Sequence, residues 1–217
     1  MSALKEVKPF LIGQLAFLIV GIILLVIFEK KELHLIINQI HHPVADGFFK
    51  YETKLAEGLA IGSAVLLLLL YKVRYGIIMM ISTTGAGLTT QFLKRVVFND
   101  HHRPMKAFEN IVDLHLIDGV ELHKSFSFPS GHSTAAFALF LTLAFVLRKP
   151  KWQLVCLAMA LTTAFSRVYL SQHFMQDIVA GSIIGSGFSL IVIFLLKNRQ
   201  WGEKGLLANF DTNRNRA

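Results

Sequence analysis

Three short groups of residues in this chain carry side chains suited to chemistry on an anion. In chain order they are Lys94 and Arg95 with Arg103-Pro104, then Phe128-Pro129-Ser130-Gly131-His132, then Ser166-Arg167 with His173 and Asp177. Guanidinium groups bind phosphate oxygens through paired hydrogen bonds, and a Lys adds a point charge. A Pro-Ser-Gly turn at the start of a helix leaves backbone N–H groups free to point at an anion, and its Gly permits close approach. These residue types predict an oxyanion site.

The two histidines are the candidate catalytic residues of such a site. His173 and Asp177 have a helical spacing of four, so both side chains share one face. An aspartate that holds one imidazole nitrogen fixes the tautomer and raises the nucleophilicity of the other nitrogen. His132 is then free to act as a general acid on the leaving oxygen. Either histidine alone is more often structural, but beside three cations and a phosphate-binding turn the pair favours catalysis.

The three groups resemble the three-part signature of the type 2 phosphatidic acid phosphatase superfamily. Its usual form is Lys-x6-Arg-Pro, then Pro-Ser-Gly-His, then Ser-Arg-x5-His-x3-Asp. The second and third parts match without gaps, and the whole signature spans residues 94–177. The first part departs, because eight residues separate Lys94 from Arg103 and counting from Arg95 leaves seven. Either the turn at 99–102 is two residues longer or the first cation is placed differently; we expect Lys94 to fill the role.

The resemblance implies a role for each matching residue. His173 attacks phosphorus and forms a phosphohistidine, Asp177 orients His173, and His132 protonates the leaving alkoxide or phosphate and later activates water. The phosphoryl oxygens are held by Lys94, Arg103, Ser130, Gly131 and Arg167. The resemblance implies no metal and no cofactor, since the cations supply the charge that Mg²⁺ supplies elsewhere. The pairs His41-His42 and His101-His102 lack nearby cysteines or a carboxylate set, so we interpret them as outer-surface residues.

The leading functional hypothesis is therefore hydrolysis of a phosphate monoester or diphosphate on a lipid reached from the bilayer. Phosphatidylglycerol phosphate, phosphatidic acid, undecaprenyl diphosphate and lipid A phosphate are the candidate substrates, and the sequence does not rank them. The alternative is a lipid phosphotransferase that moves a phosphoryl group from a prenyl diphosphate to another lipid. Soluble haloperoxidases share similar motifs, but the apolar segments described next argue against them. A channel would need charges along a path, whereas these collect at one membrane edge.

The composition places these residues in a membrane protein. Of the 217 residues, 53% are hydrophobic and 17% are charged, whereas a soluble domain has about 25% charged residues. The single cysteine, Cys156, lies in an apolar run and excludes a disulfide scaffold. The net charge of +8 comes from Lys and Arg at the ends of apolar segments. That is the membrane pattern, so we expect no nucleic-acid partner and see no sign of an obligate protein partner.

The elements that position the site are predicted to be six transmembrane helices in an all-α bundle. A bilayer core about 30 Å thick needs about 20 apolar helical residues. Six stretches come close to this length: Phe10–Phe28, Leu55–Tyr71, Tyr75–Leu93, His132–Leu147, Trp152–Ser166 and Ile178–Leu196. No cleavage site follows the first stretch, so we interpret it as a helix rather than a signal peptide. We find no linker and no internal repeat, so residues 1–217 form a single domain.

One further segment, Leu33–Phe49, has apolar residues every three to four positions and predicts an interfacial helix after the first span. The alternating crossings place twelve Lys and Arg on the side of the termini and ten on the other side. Three of those ten belong to the site, which leaves seven. The positive-inside rule then puts both termini in the cytoplasm of a multi-pass inner-membrane protein, with the active site facing outside.

Overall fold

A computed structural model describes residues 3–198 and 201–206. Within these residues the regular structure is helical, without strands. The helices of ten or more residues are α1 (Lys8–Ile27), α2 (Lys30–Gln39), α3 (Pro43–Glu52), α4 (Gly58–Tyr71), α5 (Val73–Phe92), α6 (Gly131–Leu147), α7 (Pro150–Tyr169) and α8 (Met175–Leu196). Shorter pieces are Ala3–Glu6, a 3₁₀ turn at Thr53–Ala56, a π turn at Leu93–Val97 and Pro104–Ala107.

Each of the six predicted apolar stretches lies on a helix: α1, α4, α5, α6, α7 and α8. The all-α class is therefore confirmed. By length and apolar composition, two described helices are able to cross a membrane, α1 and α8. Helices α3 and α4, joined through the 3₁₀ turn and bent by 53°, would make a third span. Helix α6 has only 17 residues, and α5 and α7 carry polar and charged side chains, so six spans stay a prediction.

The core lies where α5, α6, α7 and α8 pack against one another. Helix α8 approaches α6 closely because glycines face it: a Cβ at Gly185 would lie 2.2 Å from the Thr134 carbonyl oxygen, and one at Gly181 would lie 2.7 Å from that of Ser130. Small residues allow such backbone approach between membrane helices. On the other side, the Thr90 hydroxyl of α5 donates to Thr134 Oγ1 at 3.0 Å. These contacts fix α6, which begins at the Pro-Ser-Gly-His turn.

The prediction of one helix across Leu33–Phe49 is wrong, because the chain breaks between Gln39 and Pro43 to give α2 and α3. Proline lacks the N–H that would continue a helix but suits the first helical turn, and Pro43 begins α3 there. One face of the two helices buries the polar residues His34 and Asn38. The opposite face exposes apolar residues, namely Ile36, Ile40, Val44 and Phe48. Helices that lie against lipid are expected to bury polar side chains and to expose apolar ones. The interfacial location of these two helices stays a prediction.

The segment between α5 and α6 crosses the end of the bundle with little regular structure, and side chains tie it down. Asn38 donates to the His115 carbonyl oxygen at 3.0 Å and accepts from the His115 N–H at 2.9 Å. Lys50 donates to the Asp118 carbonyl oxygen at 2.5 Å, next to Gly119, whose φ is +74°. Helices α2 and α3 therefore hold this segment over the ends of α6 and α8.

Candidate active site

His173 lies in the tight turn between α7 and α8 and is held by one carboxylate. Its Nδ1 lies 3.2 Å from Oδ2 of Asp177, in the first turn of α8. The same oxygen accepts from the Ser127 hydroxyl at 2.5 Å and from the Phe174 N–H at 3.0 Å. With three donors around Oδ2, the proton of the imidazole stays on Nδ1. The lone pair is therefore on Nε2, the nitrogen that can attack.

The charge state of His173 also suits a nucleophile. The side chain is 1% exposed, and burial is the main cause that holds its pKa well below the ordinary value. The positive charges of Arg103 and Lys94 lower the pKa further. A neutral imidazole is the form that carries a free lone pair. His173 therefore has the charge state that the predicted nucleophile needs at neutral pH.

Three cations from three segments surround this turn: Lys94, Arg103 and Arg167, which are 6%, 9% and 6% exposed. In the described part of the chain, none of them forms a salt bridge with a carboxylate. Burial and the charge of Arg103 lower the pKa of Lys94 to about 8. Buried cations without a carboxylate cost several kcal/mol, as an order of magnitude, and call for an anion.

The two arginines are aimed by neutral groups. Arg103 donates from Nε to the Ser125 carbonyl oxygen at 3.0 Å and from a terminal nitrogen to Oε1 of Gln172 at 3.2 Å. Arg167 donates to the Thr53 hydroxyl at 2.8 Å, and its buried Nε has no hydrogen-bond partner among the described residues. Neutral acceptors orient a guanidinium without neutralising it, so its charge remains available to a phosphoryl oxygen.

The first motif is placed by the π turn at Leu93–Val97, which turns Lys94 into the cluster and leaves Arg95 exposed. A π turn inserts an extra residue into a helix and often occurs at functional sites. The rest of the two-residue insertion in the first motif lies in the loop before Arg103. The N–H of Arg103 donates to the Lys124 carbonyl oxygen at 3.0 Å. The geometry supports Lys94 as the first-motif cation, which stays a prediction.

At the second motif, the Ser130 side chain caps α6. Its Oγ accepts from the N–H of Ser133 at 3.3 Å and from the hydroxyl of Ser133 at 2.9 Å. Its own N–H donates to the carbonyl oxygen of Asp177 at 3.0 Å, which joins the second motif to the third. A Cβ on Gly131 would meet no described atom within 4 Å. Phosphate contacts at this turn would therefore come from the first backbone N–H groups of α6, beside the open space at Gly131.

Several functional candidates were not predicted. Gln172 accepts from Arg103 and donates to the Glu121 carbonyl oxygen at 3.0 Å. Ser171, at φ +53°, is bonded through its hydroxyl to His34 at 3.2 Å and to Asn38 at 3.1 Å. In the sequence, only the position of Ser171 and Gln172 just before His173 suggests that they have a role in the site.

Two cavities open beside His123, which lines both of them. The first, of about 380 Å³, is lined by cations and neutral groups: Gln91, Lys94, Arg95, Arg103, His123, Lys124, Ser125 and Phe126. The second, of about 270 Å³, is lined by His132 and Arg167 together with Lys50, Thr53, Lys54, Glu57, Gly119, Val120, Glu121 and His123. The predicted general acid, His132, thus lines the second cavity.

Within the described ranges, no three His, Cys, Asp or Glu side chains gather as metal ligands would. The first residue of each histidine pair has a partner of its own. His41 stacks on His115 with ring centroids 3.9 Å apart, and His101 is bonded to Asp100 at 2.9 Å. The site can thus bind an anion, present a neutral nucleophile and supply a second imidazole, all from the chain's own side chains.

The chain is similar to known proteins of one family. A sequence profile described as "PAP2 superfamily" matches residues 75–201. The chain is 29% identical over 175 residues to the lipid A 4'-phosphatase of Bacteroides thetaiotaomicron, covering 77% of this chain and 76% of that protein. It is 31% identical over 126 residues to the lipid A 1-phosphatase of Rhizobium johnstonii, covering 56% of this chain and 48% of that protein.

Two solved structures share the fold. The crystal structure of Aquifex aeolicus LpxE superposes with a TM-score of 0.65 at 24% identity, covering 75% of this chain and 93% of that one. The PAP2-type phosphatidylglycerolphosphate phosphatase of Bacillus subtilis gives 0.63 at 22% identity, covering 91% and 99%. The matched region contains all three motifs, so the predicted resemblance is confirmed. The phosphatase class inferred from the motifs is also that of the named relatives.

Proposed function

This chain belongs to the PAP2 superfamily, and from that premise we propose that it hydrolyses a phosphate monoester or diphosphate on a membrane lipid through a phosphohistidine. The observation that supports the proposal is the group of three buried cations around His173. Lys94, Arg103 and Arg167 are buried around His173 and form no salt bridge with a carboxylate among the described residues, and one nitrogen of His173 is fixed by Asp177. Relatives named for lipid A, phosphatidylglycerophosphate and undecaprenyl diphosphate support a lipid phosphate as the substrate.

In the first step, Nε2 of His173 attacks the phosphorus atom. A P–N bond forms, the P–O bond to the lipid breaks, and the electron pair leaves with the lipid oxygen. That oxygen takes a proton from His132, which lines the cavity on the leaving side. The product is a lipid alcohol, or a lipid monophosphate when the substrate is a diphosphate.

In the second step, water attacks the phosphorus of the phosphohistidine. His132, now neutral, takes a proton from this water, the P–N bond breaks, and the electron pair returns to Nε2 of His173. Inorganic phosphate leaves. In both steps Lys94, Arg103 and Arg167, with the first backbone N–H groups of α6 beside Gly131, stabilise the charge on the phosphoryl oxygens.

We place the site at the outer face of the inner membrane, with both termini cytoplasmic. The motifs lie at the ends where α6 and α8 begin, whereas the start of α1, the end of α8 and the α6–α7 turn lie at the opposite ends. Once the phosphate-binding cations are set aside, the Lys and Arg count favours a cytoplasmic location for the termini. The substrate lipid and the bilayer are the only partners that this proposal needs.

The decisive experiment measures inorganic phosphate release from purified phospholipids and prenyl diphosphates in detergent, with EDTA and without an acceptor lipid. We expect release from at least one lipid. Release that depended on an acceptor lipid would indicate a phosphotransferase instead, and release abolished by EDTA would contradict a metal-free reaction.

A further inference from the structure

The turn that contains His173 has a backbone conformation that its own residues do not favour. Ser171 has a φ of +53°, in the left-handed region that a residue other than glycine enters only at a cost in free energy. The N–H groups of Gln172 and His173 both donate to the Arg167 carbonyl oxygen, at 2.9 and 3.0 Å, so the turn closes onto the end of α7. Such a conformation persists where contacts from elsewhere in the structure hold it.

Those contacts come from α2, which contains none of the three motifs. Oγ of Ser171 accepts a hydrogen bond from Nδ2 of Asn38 at 3.1 Å and is hydrogen-bonded to Nε2 of His34 at 3.2 Å. His34 and Asn38 are four residues apart and share one face of α2, and both are buried, as is Ser171. Two partners from a second helix thus fix the position of a residue that lies two places before the predicted nucleophile.

His34 contacts the residues on both sides of His173. Besides the bond to Ser171, its ring packs on the ring of Phe174, with centroids 5.3 Å apart and an angle of 67° between the planes. Phe174 follows His173 directly, and its N–H donates to Oδ2 of Asp177, the oxygen that holds the imidazole. A shift of His34 would therefore move the turn both before and after the predicted nucleophile.

The amide of Asn38 is fixed in turn by a second partner. Its Nδ2 has two hydrogens, of which one is donated to Ser171 and the other to the His115 carbonyl oxygen at 3.0 Å. Its Oδ1 accepts from the His115 N–H at 2.9 Å. With both hydrogens donated and the oxygen bonded, the amide has one orientation, and that orientation sets the position of the Ser171 hydroxyl.

We propose that His34 and Asn38 are positioning residues for the nucleophile. They act through Ser171 and Phe174 and not on the substrate, since neither lines the cavities beside His123. Their role is to keep the attacking nitrogen in line with phosphorus in both steps, and a misplacement of about 1 Å can lower a rate by about 10²-fold. This inference rests on the proposed phosphatase function and adds to that site two residues outside the three motifs.

The test is a double-mutant cycle on kcat. Phosphate release is measured in detergent micelles from phosphatidylglycerophosphate, lipid A and undecaprenyl diphosphate, and the cycle uses the lipid that the unaltered chain hydrolyses fastest. We expect Asn38→Ala and Ser171→Ala each to lower kcat by about tenfold and to change KM by less than about threefold, because the phosphate-binding cations remain. The double variant should lose far less than the factor of about 100 that independent effects would give, since one hydrogen bond joins the two residues.

A further variant separates positioning from stability. Ser171→Gly and Ser171→Ala both lack the hydroxyl, but glycine suits a positive φ and alanine does not. We therefore expect Ser171→Gly to melt at a higher temperature than Ser171→Ala in detergent and yet to have a kcat that is equally low.

Tyr169→Phe is the matched control. The Tyr169 hydroxyl donates to Oδ1 of Asp46 at 2.6 Å and accepts from the His42 N–H at 3.3 Å. The variant thus loses two hydrogen bonds between α7 and the beginning of α3, neither of them to the turn that contains His173. We expect its kcat to stay within about twofold of that of the unaltered chain.

Losses of kcat that multiply in the double variant, that follow the melting temperature, or that occur equally in Tyr169→Phe would indicate a purely structural role. Each of these results would overturn the inference and leave the phosphatase proposal intact, as would a near-normal kcat in Asn38→Ala. Phosphate release by the unaltered chain from none of the three lipids would overturn the phosphatase proposal and this inference with it.

Discussion

His173 depends on its neighbours for its reactivity. Oδ2 of Asp177 is shared by the imidazole, the Ser127 hydroxyl and the Phe174 N–H, so neither the carboxylate nor the ring has freedom to rotate. The adjacent Gln172 connects the same turn to Arg103. The same turn therefore contains His173, the predicted nucleophile, and Gln172, which orients the predicted phosphate-binding Arg103.

Loss of the nucleophile gives the sharpest prediction. His173→Ala removes the attacking nitrogen, so we expect phosphate release to fall by about 10⁴-fold or more while the protein still folds. His41→Ala is the control, since His41 is exposed and stacks only on His115. Near-normal turnover by His173→Ala, measured on the best lipid substrate, would end the phosphohistidine proposal.

The cation of the first motif can be identified by comparing alanine variants of the neighbouring residues Lys94 and Arg95. Lys94 is buried in the cluster and Arg95 is exposed, so we expect Lys94→Ala to lower kcat/KM by about 10²-fold, the typical loss for one oxyanion-stabilising group. We expect Arg95→Ala to lower it by less than about tenfold. If Arg95→Ala proved the more damaging change, the assignment of the motif would be wrong.

Lys94 also predicts a pH dependence. Its pKa is lowered to about 8 by burial and by Arg103, so the free enzyme loses this positive charge as the pH rises through that value. Substrate binding needs the charged form, so kcat/KM should fall above about pH 8. Lys94→Arg should shift the fall to higher pH, because a guanidinium stays protonated. A profile of kcat/KM from pH 6 to 10 that was identical in both proteins would contradict this role.

At the scale of helices, the packing of α8 on α6 sets the distance between the second and third motifs. A Cβ at Gly185 would lie 2.2 Å from a backbone oxygen, whereas one at Gly187 would meet no described atom within 4 Å. We expect Gly185→Ala to destabilise the protein by about 1–3 kcal/mol and to lower activity, because backbone cannot move aside. Gly187→Ala should be neutral or slightly stabilising, since Ala favours helix. Thermal unfolding in detergent compares the two, and equal melting temperatures would contradict close packing.

The positions of the helices could be predicted from the sequence. The breaks between them were harder to predict. Apolar length located α1 and α4 to α8, and the three motifs identified the residues that converge. The break before Pro43 was not predicted, because the apolar periodicity continues across it. Hydrogen bonds such as Arg167 to Thr53 join residues 114 positions apart, and no local pattern encodes that pairing.

For the whole molecule, the orientation in the membrane is open to direct measurement. In a Cys156→Ser background, Asp118→Cys and Lys149→Cys place single thiols on the outer segment and on the α6–α7 turn, where both residues are exposed. We expect a membrane-impermeant maleimide to label position 118 in intact spheroplasts, and position 149 only after lysis. The reverse pattern would place the active site in the cytoplasm.

The glycine contacts between α6 and α8 have a consequence for how such enzymes diversify. Backbone atoms meet at Gly181 and Gly185, so the helices that carry His132 and Asp177 behave as one rigid part. The exposed side chains beside the bend at Glu57, such as Leu59, lie outside this contact between the two helices. We therefore expect substitutions at such exposed positions to leave the packing of α6 on α8 intact. One framework can in this way give rise to relatives named for lipids as different as lipid A and undecaprenyl diphosphate.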